Sequence, residues 1–326
     1  MTYFFRTFLA CALAAITGGC NTTVVTTSQG ADFNKSVTAV AANLKASLSE
    51  IQSVEVANRV DAYARGTQRT LEHLDLAPNL SDQEVGVITS QFDFLVKYSE
   101  ALKDATSPGT SWGKSVSGIN SAESKLMGDS QGLENKLSGR TVITDANVKT
   151  FNTDAGGVAK AVSAIGEGAL TLYGEEKASK IAGAVNPDIQ KYCADLEALL
   201  TADPDSKAPR TGLAGILLAD YEERIASVKI LATTVAPPTG PDDPGYFPAV
   251  RRRSAVLNEY SALLESEKTG LAKVMALRKA VADIASAHDS LARKDDASFK
   301  EKLSDMDELV RSVSTGSPTP AAAPSN

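Results

Sequence analysis

Apolar residues return every three or four positions through most of the chain, the spacing that gathers them on one side of an α-helix. Val37, Ala41, Leu44, Leu48 and Ile51 form the first such stripe, which predicts a helix from about Asp32 to Leu74, stopped before Pro78. Ser81 followed three residues later by Glu84 is a capping box: hydroxyl and carboxylate each take a backbone N–H of the first turn. It opens a helix through Ile88, Phe92, Leu95, Tyr98 and Leu102, closed by Ser107-Pro108-Gly109. A weaker helical stretch covers Trp112 to Leu137, opposed by Gly118, Gly128 and Gly132. Asp145 caps a third long helix reaching about Ala184, and Asn186-Pro187 restarts the chain as a short helix to about Thr201. A loop from Asp203 to Pro209 leads to a helix from about Thr211 to Thr234.

The stretch 236–248, APPTGPDDPGYFP, holds five prolines and two glycines and is expected to carry no regular element. A last long helix follows from about Ala249 to Arg293, with Leu264, Leu271, Val274, Val281, Ile284, His288 and Leu291 on its apolar face. A short helix from about Asp296 to Val313 carries Phe299, Leu303, Met306, Leu309 and Val310. Thr141 to Thr144 is the only β-leaning run. The first and last long helices each approach about 45 residues, or about 65 Å, so the expected fold is all-α: an elongated antiparallel helical bundle over residues 31–314. Residues 315–326, with three prolines and no charge, read as a disordered tail.

The first twenty residues, MTYFFRTFLACALAAITGGC, have another pattern. Arg6 precedes an apolar run from Phe8 to Ile16, and Thr17, Gly18 and Gly19 lead to Cys20. The run is too short to span a bilayer and has the layout of an export signal. Here the chain resembles a bacterial lipoprotein precursor: Gly18, Gly19 and Cys20 fit the lipobox, although Thr17 stands where Leu is usual. The resemblance implies removal of residues 1–19, acylation of Cys20, and anchoring of the mature chain in a membrane. Asn21, in place of the Asp that retains such proteins in the inner membrane, implies the outer membrane facing the periplasm in a Gram-negative host. Two or more acyl chains hold a protein stably, at about 0.8 kcal/mol per buried methylene. Residues 20–30, polar and β-branched, are expected to be a flexible tether. Cys11 leaves with the signal, so Cys193 is the one cysteine left unmodified and no intramolecular disulfide can form.

Composition narrows the function. The chain of 326 residues is 43% apolar, enough for a core. Thirty-three Lys and Arg against 40 Asp and Glu give a formal charge of −7, and aromatics are 6%. Neither a basic field nor a stacking platform for nucleic acid is present.

Chemistry-bearing motifs are sparse. Neither His73 nor His288 has Glu three residues before it, so the di-iron bundle signature is missing, and both read as structural or solvated. Asp203-Pro204-Asp205 begins like a calcium loop, but Lys207, Ala208 and Ala214 occupy its ligand and glycine positions. Cys193 falls in the helical stripe Ile189, Cys193, Leu196, Leu200 and reads as a core thiol. No metal and no cofactor is called for. Gly156-Gly157 and Gly166-x-Gly168 lack the spacing and the preceding strand of a phosphate loop. They sit in a small-residue segment, 155–174, that is long enough to enter a bilayer but carries Lys160 and Glu167.

The most unusual local feature is the Pro-rich stretch ending in Tyr246 and Phe247 and followed by Arg251, Arg252 and Arg253. Adjacent aromatics beside arginines suit a partner surface for an anionic protein face or polymer. The competing account folds Tyr246 and Phe247 back as a cap on the bundle end, with the arginines paired internally. The expected function is therefore a non-catalytic binding or scaffolding role for a lipid-anchored envelope protein. Two alternatives stand beside it: a membrane-active protein using residues 155–174, and an enzyme of undetected type acting on an envelope polymer.

Overall fold

The computed structural model describes residues 26–65, 80–107, 112–134, 143, 145–168, 175–200, 212–234, 240 and 245–315. Cys20, His73, the Asp203-Asp205 pair, Asp242, Asp243 and residues 316–326 lie outside them. The described residues form eight helices and no strand. These are α1 (Thr27–Arg65), α2 (Asp82–Thr106), α3 (Trp112–Glu134), α4 (Asp145–Gly168), α5 (Glu175–Leu200), α6 (Leu213–Thr234), α7 (Tyr246–Arg293) and α8 (Asp296–Thr315).

Side-chain pairs fix how the helices run. Thr27, Asn34, Lys45 and Gln52 of α1 meet Thr106, Ser99, Asp93 and Asp82 of α2, in reverse order and hence antiparallel. Phe33 and Glu50 of α1 meet His288 and Lys273 of α7, again reversed. Asn186, Gln190 and Glu197 of α5 meet Asp289, Ala285 and Arg278 of α7, reversed once more. Tyr192 of α5 bonds Gln91 of α2, which closes a ring of four helices: α1, α2, α5 and α7. Each is antiparallel to its two neighbours. The pair α3 and α4 covers the α2–α5 side, while α8 and α6 cover the outer side of α1 and α7.

Helix periodicity explains how α1 serves both sides. Residues 27, 34, 45 and 52 face α2, whereas 29, 36 and 43 meet α8 and 58 meets α6 on roughly the opposite face. Gln29, Ser36 and Asn43 meet Asp296, Asp307 and Ser314 in the same order, so α8 runs parallel to α1. The expected stripes are the core: Val37, Ala41, Leu44, Leu48 and Ile51, Ile88 to Leu102, and Ile189 to Leu200 are all buried. The Ser81–Glu84 capping box forms as expected.

Several boundaries differ from expectation. Residues 27–30, assigned to the tether, are the first turn of α1. Their polar groups have definite partners: the Thr27 hydroxyl donates to the Thr106 carbonyl at 3.2 Å and the Gln29 amide to Asp296 at 2.7 Å. Where one helix is expected over Asp145–Ala184, the described residues belong to two elements, α4 up to Gly168 and α5 from Glu175. Pro187, expected to start a new helix, lies inside α5. Bonds from Asn186 and Gln190 to α7 hold that turn in place where the backbone lacks an N–H.

The final long helix also starts earlier, at Tyr246. Pro248 is its third residue, where the missing N–H would have had no helical partner in any case. Leu264, expected on the buried face, is 41% exposed, while its neighbour Leu263 is buried. Successive helical residues point about 100° apart, and at this level α7 has α6 on the Leu263 side.

Candidate functional site

Three polar groupings stand out, two of them buried and one half-buried, and charge with exposed apolar area collects at a fourth place. In the four-helix ring, His288 is wholly buried with both ring nitrogens bonded. The Tyr98 hydroxyl lies 2.6 Å from Nε2 and Asn186 Oδ1 lies 2.9 Å from Nδ1. Asn186 can only accept through Oδ1, so Nδ1 carries the proton and Nε2 accepts from Tyr98. Burial pulls the imidazole down to about 4, so the ring is neutral at neutral pH. Elsewhere in the four-helix ring, Tyr192 donates to the Gln91 carbonyl at 2.8 Å. Cys193 is fully buried, and burial with Glu197 nearby pushes its thiol well above the ordinary range, which keeps it protonated.

Two carboxyl pairs form the second and third places. Glu55 of α1 is almost completely buried, accepts the Leu80 N–H at 3.0 Å and faces Asp220 of α6. Burial, and then Asp220, push it upward, with Arg59 as the opposing cation, so the pair holds a proton at neutral pH. Asp195 of α5 is raised in the same way by burial and by Asp154 of α4. Among the described residues no group of three or more His, Cys, Asp or Glu is placed to hold a metal. A groove of about 280 Å³ lies beside the start of α1, bordered by Thr26, Gln29, Lys294, Phe299 and Lys300.

The fourth place is the hairpin of α6 and α7. Arg224 of α6 approaches Glu259 of α7 at 3.8 Å, and Leu217 and Tyr221 pack on Gly270, so the two helices are antiparallel. From Tyr246 to Ala262, α7 has no buried residue; its first is Leu263. This end of the hairpin therefore extends past the packed core. Phe247 is 68% exposed and Ile230 64%, and Leu257 is exposed as well. Tyr246 is half-buried and meets Phe247 edge-on, with ring centroids 5.4 Å apart. Arg251 and Arg252 are exposed and Arg253 half-buried, and none of the three has an ion pair among the described residues. Arg252 Nε donates to the Pro248 carbonyl at 3.4 Å. Between residues 225 and 258 the basic side chains are Lys229 and the three arginines, and the acidic ones are Asp242 and Asp243. The hairpin end is thus locally basic on a chain of charge −7.

The five residues expected to form a partner surface all fall on the first two turns of α7, spread around its circumference. Sequence reasoning missed Ile230, Leu257 and Leu264 as exposed residues; the seven-residue spacing of Leu257 and Leu264 was the available signal. Of the 155–174 segment, residues 155–168 belong to α4, with Ala155, Val158, Ala159 and Val162 buried in the bundle, and residues 169–174 lie outside the described residues. No described helix is long and apolar enough to cross a membrane. Compared with protein-family models, curated proteins and solved structures, the chain matches none.

Proposed function

We propose that this chain is a lipid-anchored envelope protein with a non-catalytic binding role, and that the free end of the α6–α7 hairpin is its binding surface. The observation that carries this reading is the position of that end. The start of α1 lies beside the start of α8 and the last turns of α7, through Gln29–Asp296 and Phe33–His288. Tyr246 is at the other end of the 48-residue α7, about 70 Å away at 1.5 Å per residue. Cys20, six residues before Thr26, confines one end to the membrane, in a Gram-negative host the outer membrane facing the periplasm, and the opposite end is basic and partly apolar. Exposed Phe247 and three arginines that have no ion pair among the described residues suit an anionic partner, such as an acidic protein face or a phosphate-bearing polymer.

Two variants test the two halves of this reading. Cys20→Ser moves the chain from the membrane to the soluble periplasmic fraction with its melting temperature unchanged; continued membrane association rejects lipid attachment. Tyr246→Ala/Phe247→Ala keeps the melting temperature and loses crosslinked partners. A destabilised variant that retains its partners makes the two aromatics a cap and rejects the surface.

A further inference from the structure

The face of α7 turned away from α6 carries a pattern of its own. Val250, Leu257, Leu264 and Leu271 stand seven residues apart, interleaved with Ser254, Ser261, Lys268 and Met275. Alternating steps of four and three along one helix make the seam of a coiled coil. Leu257 is 47% exposed and Leu264 41%, and Ser254, Ser261 and Lys268 are exposed, whereas Leu263 and Gly270 on the other flank are buried. Gly270 abuts Leu217 and Tyr221 of α6. Between 250 and 268 the seam therefore faces outward.

Charge flanks the seam on both sides. Arg251 and Glu265 lie along one margin and Arg253 and Glu267 along the other. None of the four has an ion-pair partner among the described residues. In each margin the cation stands toward the helix start and the anion two heptads later, so the stripe is complementary to itself turned end for end.

We propose that this stripe is where two copies of this chain pair, antiparallel, about a two-fold axis beside residue 259. That axis sets Leu257 against Ser261, Leu264 against Ser254 and Val250 against Lys268 of the second copy. Small serines opposite leucines let the helices approach, and the Lys268 stem covers Val250 while its ammonium reaches water. The same axis sets Arg251 against Glu265 and Arg253 against Glu267, four ion pairs by symmetry and in the flanking positions that select partner and orientation. A parallel pairing forms none of them: Arg253 would meet Asn258, and Glu267 would meet Ala272. Arg293 is 34 residues from the axis along α7, so the two amino-terminal ends stand on the order of 100 Å apart. Two copies anchored in one leaflet would then lie along it.

The proposal rests on the reading of this hairpin as a binding surface and names the partner. The full chain, processed in its host and purified in detergent, is examined by sedimentation velocity. The wild type sediments as a dimer. Arg251→Glu/Arg253→Glu and Glu265→Arg/Glu267→Arg each weaken the dimer roughly a hundredfold by opposing like charges at four places. Co-expressing these two variants restores a dimer containing one copy of each, since every reversed pair is then matched. Circular dichroism melts equal to wild type establish that each variant is folded. A monomeric wild type, a dimer indifferent to charge reversal, or no rescue on co-expression each overturns the proposal. If the wild type is monomeric while Tyr246→Ala/Phe247→Ala still releases another envelope component, the pairing fails and the binding surface stands.

Discussion

His288 shows how one residue links the core to pH. With Tyr98 on Nε2 and Asn186 on Nδ1, the folded chain accepts a proton only near pH 4, while the unfolded chain binds one near 6.5. Protonation therefore favours unfolding. The stability held by the neutral ring is intact above 6.5 and is lost as the pH falls from there to about 4, by about 3 kcal/mol across that window. Thermal melts over this range should show the loss in wild type and a flatter profile in His288→Gln. Tyr98→Phe, which leaves Nε2 without its donor in a sealed site, should cost about 1–3 kcal/mol at pH 7. Glu55 has the opposite sign. Its carboxyl is raised by burial and by Asp220, so its contribution is complete below about 4.5 and disappears as rising pH removes the shared proton. Glu55→Gln keeps an acceptor for the Leu80 N–H and should be more stable than wild type at alkaline pH; a larger alkaline loss in that variant contradicts the assignment. The burial of His288 was legible in its place on an apolar stripe. Tyr98, 190 residues away, was not, because that pairing depends on which helices are neighbours.

At the level of the helix, periodicity and capping carried most of the information, and breaks carried less. The Ser81–Glu84 box marks the start of α2 because its bonds are local. Glycine and proline were harder to place, since their effect depends on tertiary support. Pro187 stays inside α5, where α7 holds the adjoining turn. The first turn of α1 was invisible for the same reason: Thr27 and Gln29 look like linker until α2 and α8 supply their partners. A β-carbon on Gly30 would stand 3.1 Å from the backbone of Lys103, so Gly30→Ala must push α1 from α2 and should cost about 1–3 kcal/mol. Lys294 closes α7 with φ 63° and ψ 38°, a left-handed conformation that side chains disfavour by about 1–2 kcal/mol. Lys294→Gly should raise the melting temperature; a lower one would mean that the Lys294 side chain contributes more than its backbone costs.

For the whole molecule, the all-α class and long helices followed from the sequence, while the closed ring of α1, α2, α5 and α7 and the projecting hairpin did not. Tyr246, Phe247 and the three arginines were recognisable as residues without an apolar stripe to join. Their placement at the end of α7 remote from Thr26 required the antiparallel order of the bundle. Leu264 shows the limit of periodicity: it has the spacing of a core residue, yet it is 41% exposed and no described helix covers that face at its level. Apolar spacing records that a face is suited to burial, not which neighbour buries it.

The proposed role of the hairpin end, as the surface through which this protein meets its partner, is open to direct test. A photo-crosslinking amino acid placed at Phe247, 68% exposed, is compared in intact cells with the same group at Ser286, exposed in the other half of α7. Discrete adducts are expected from position 247, either with a second copy or with another envelope component, and none from position 286. Adducts from position 286 with none from 247 would contradict that role.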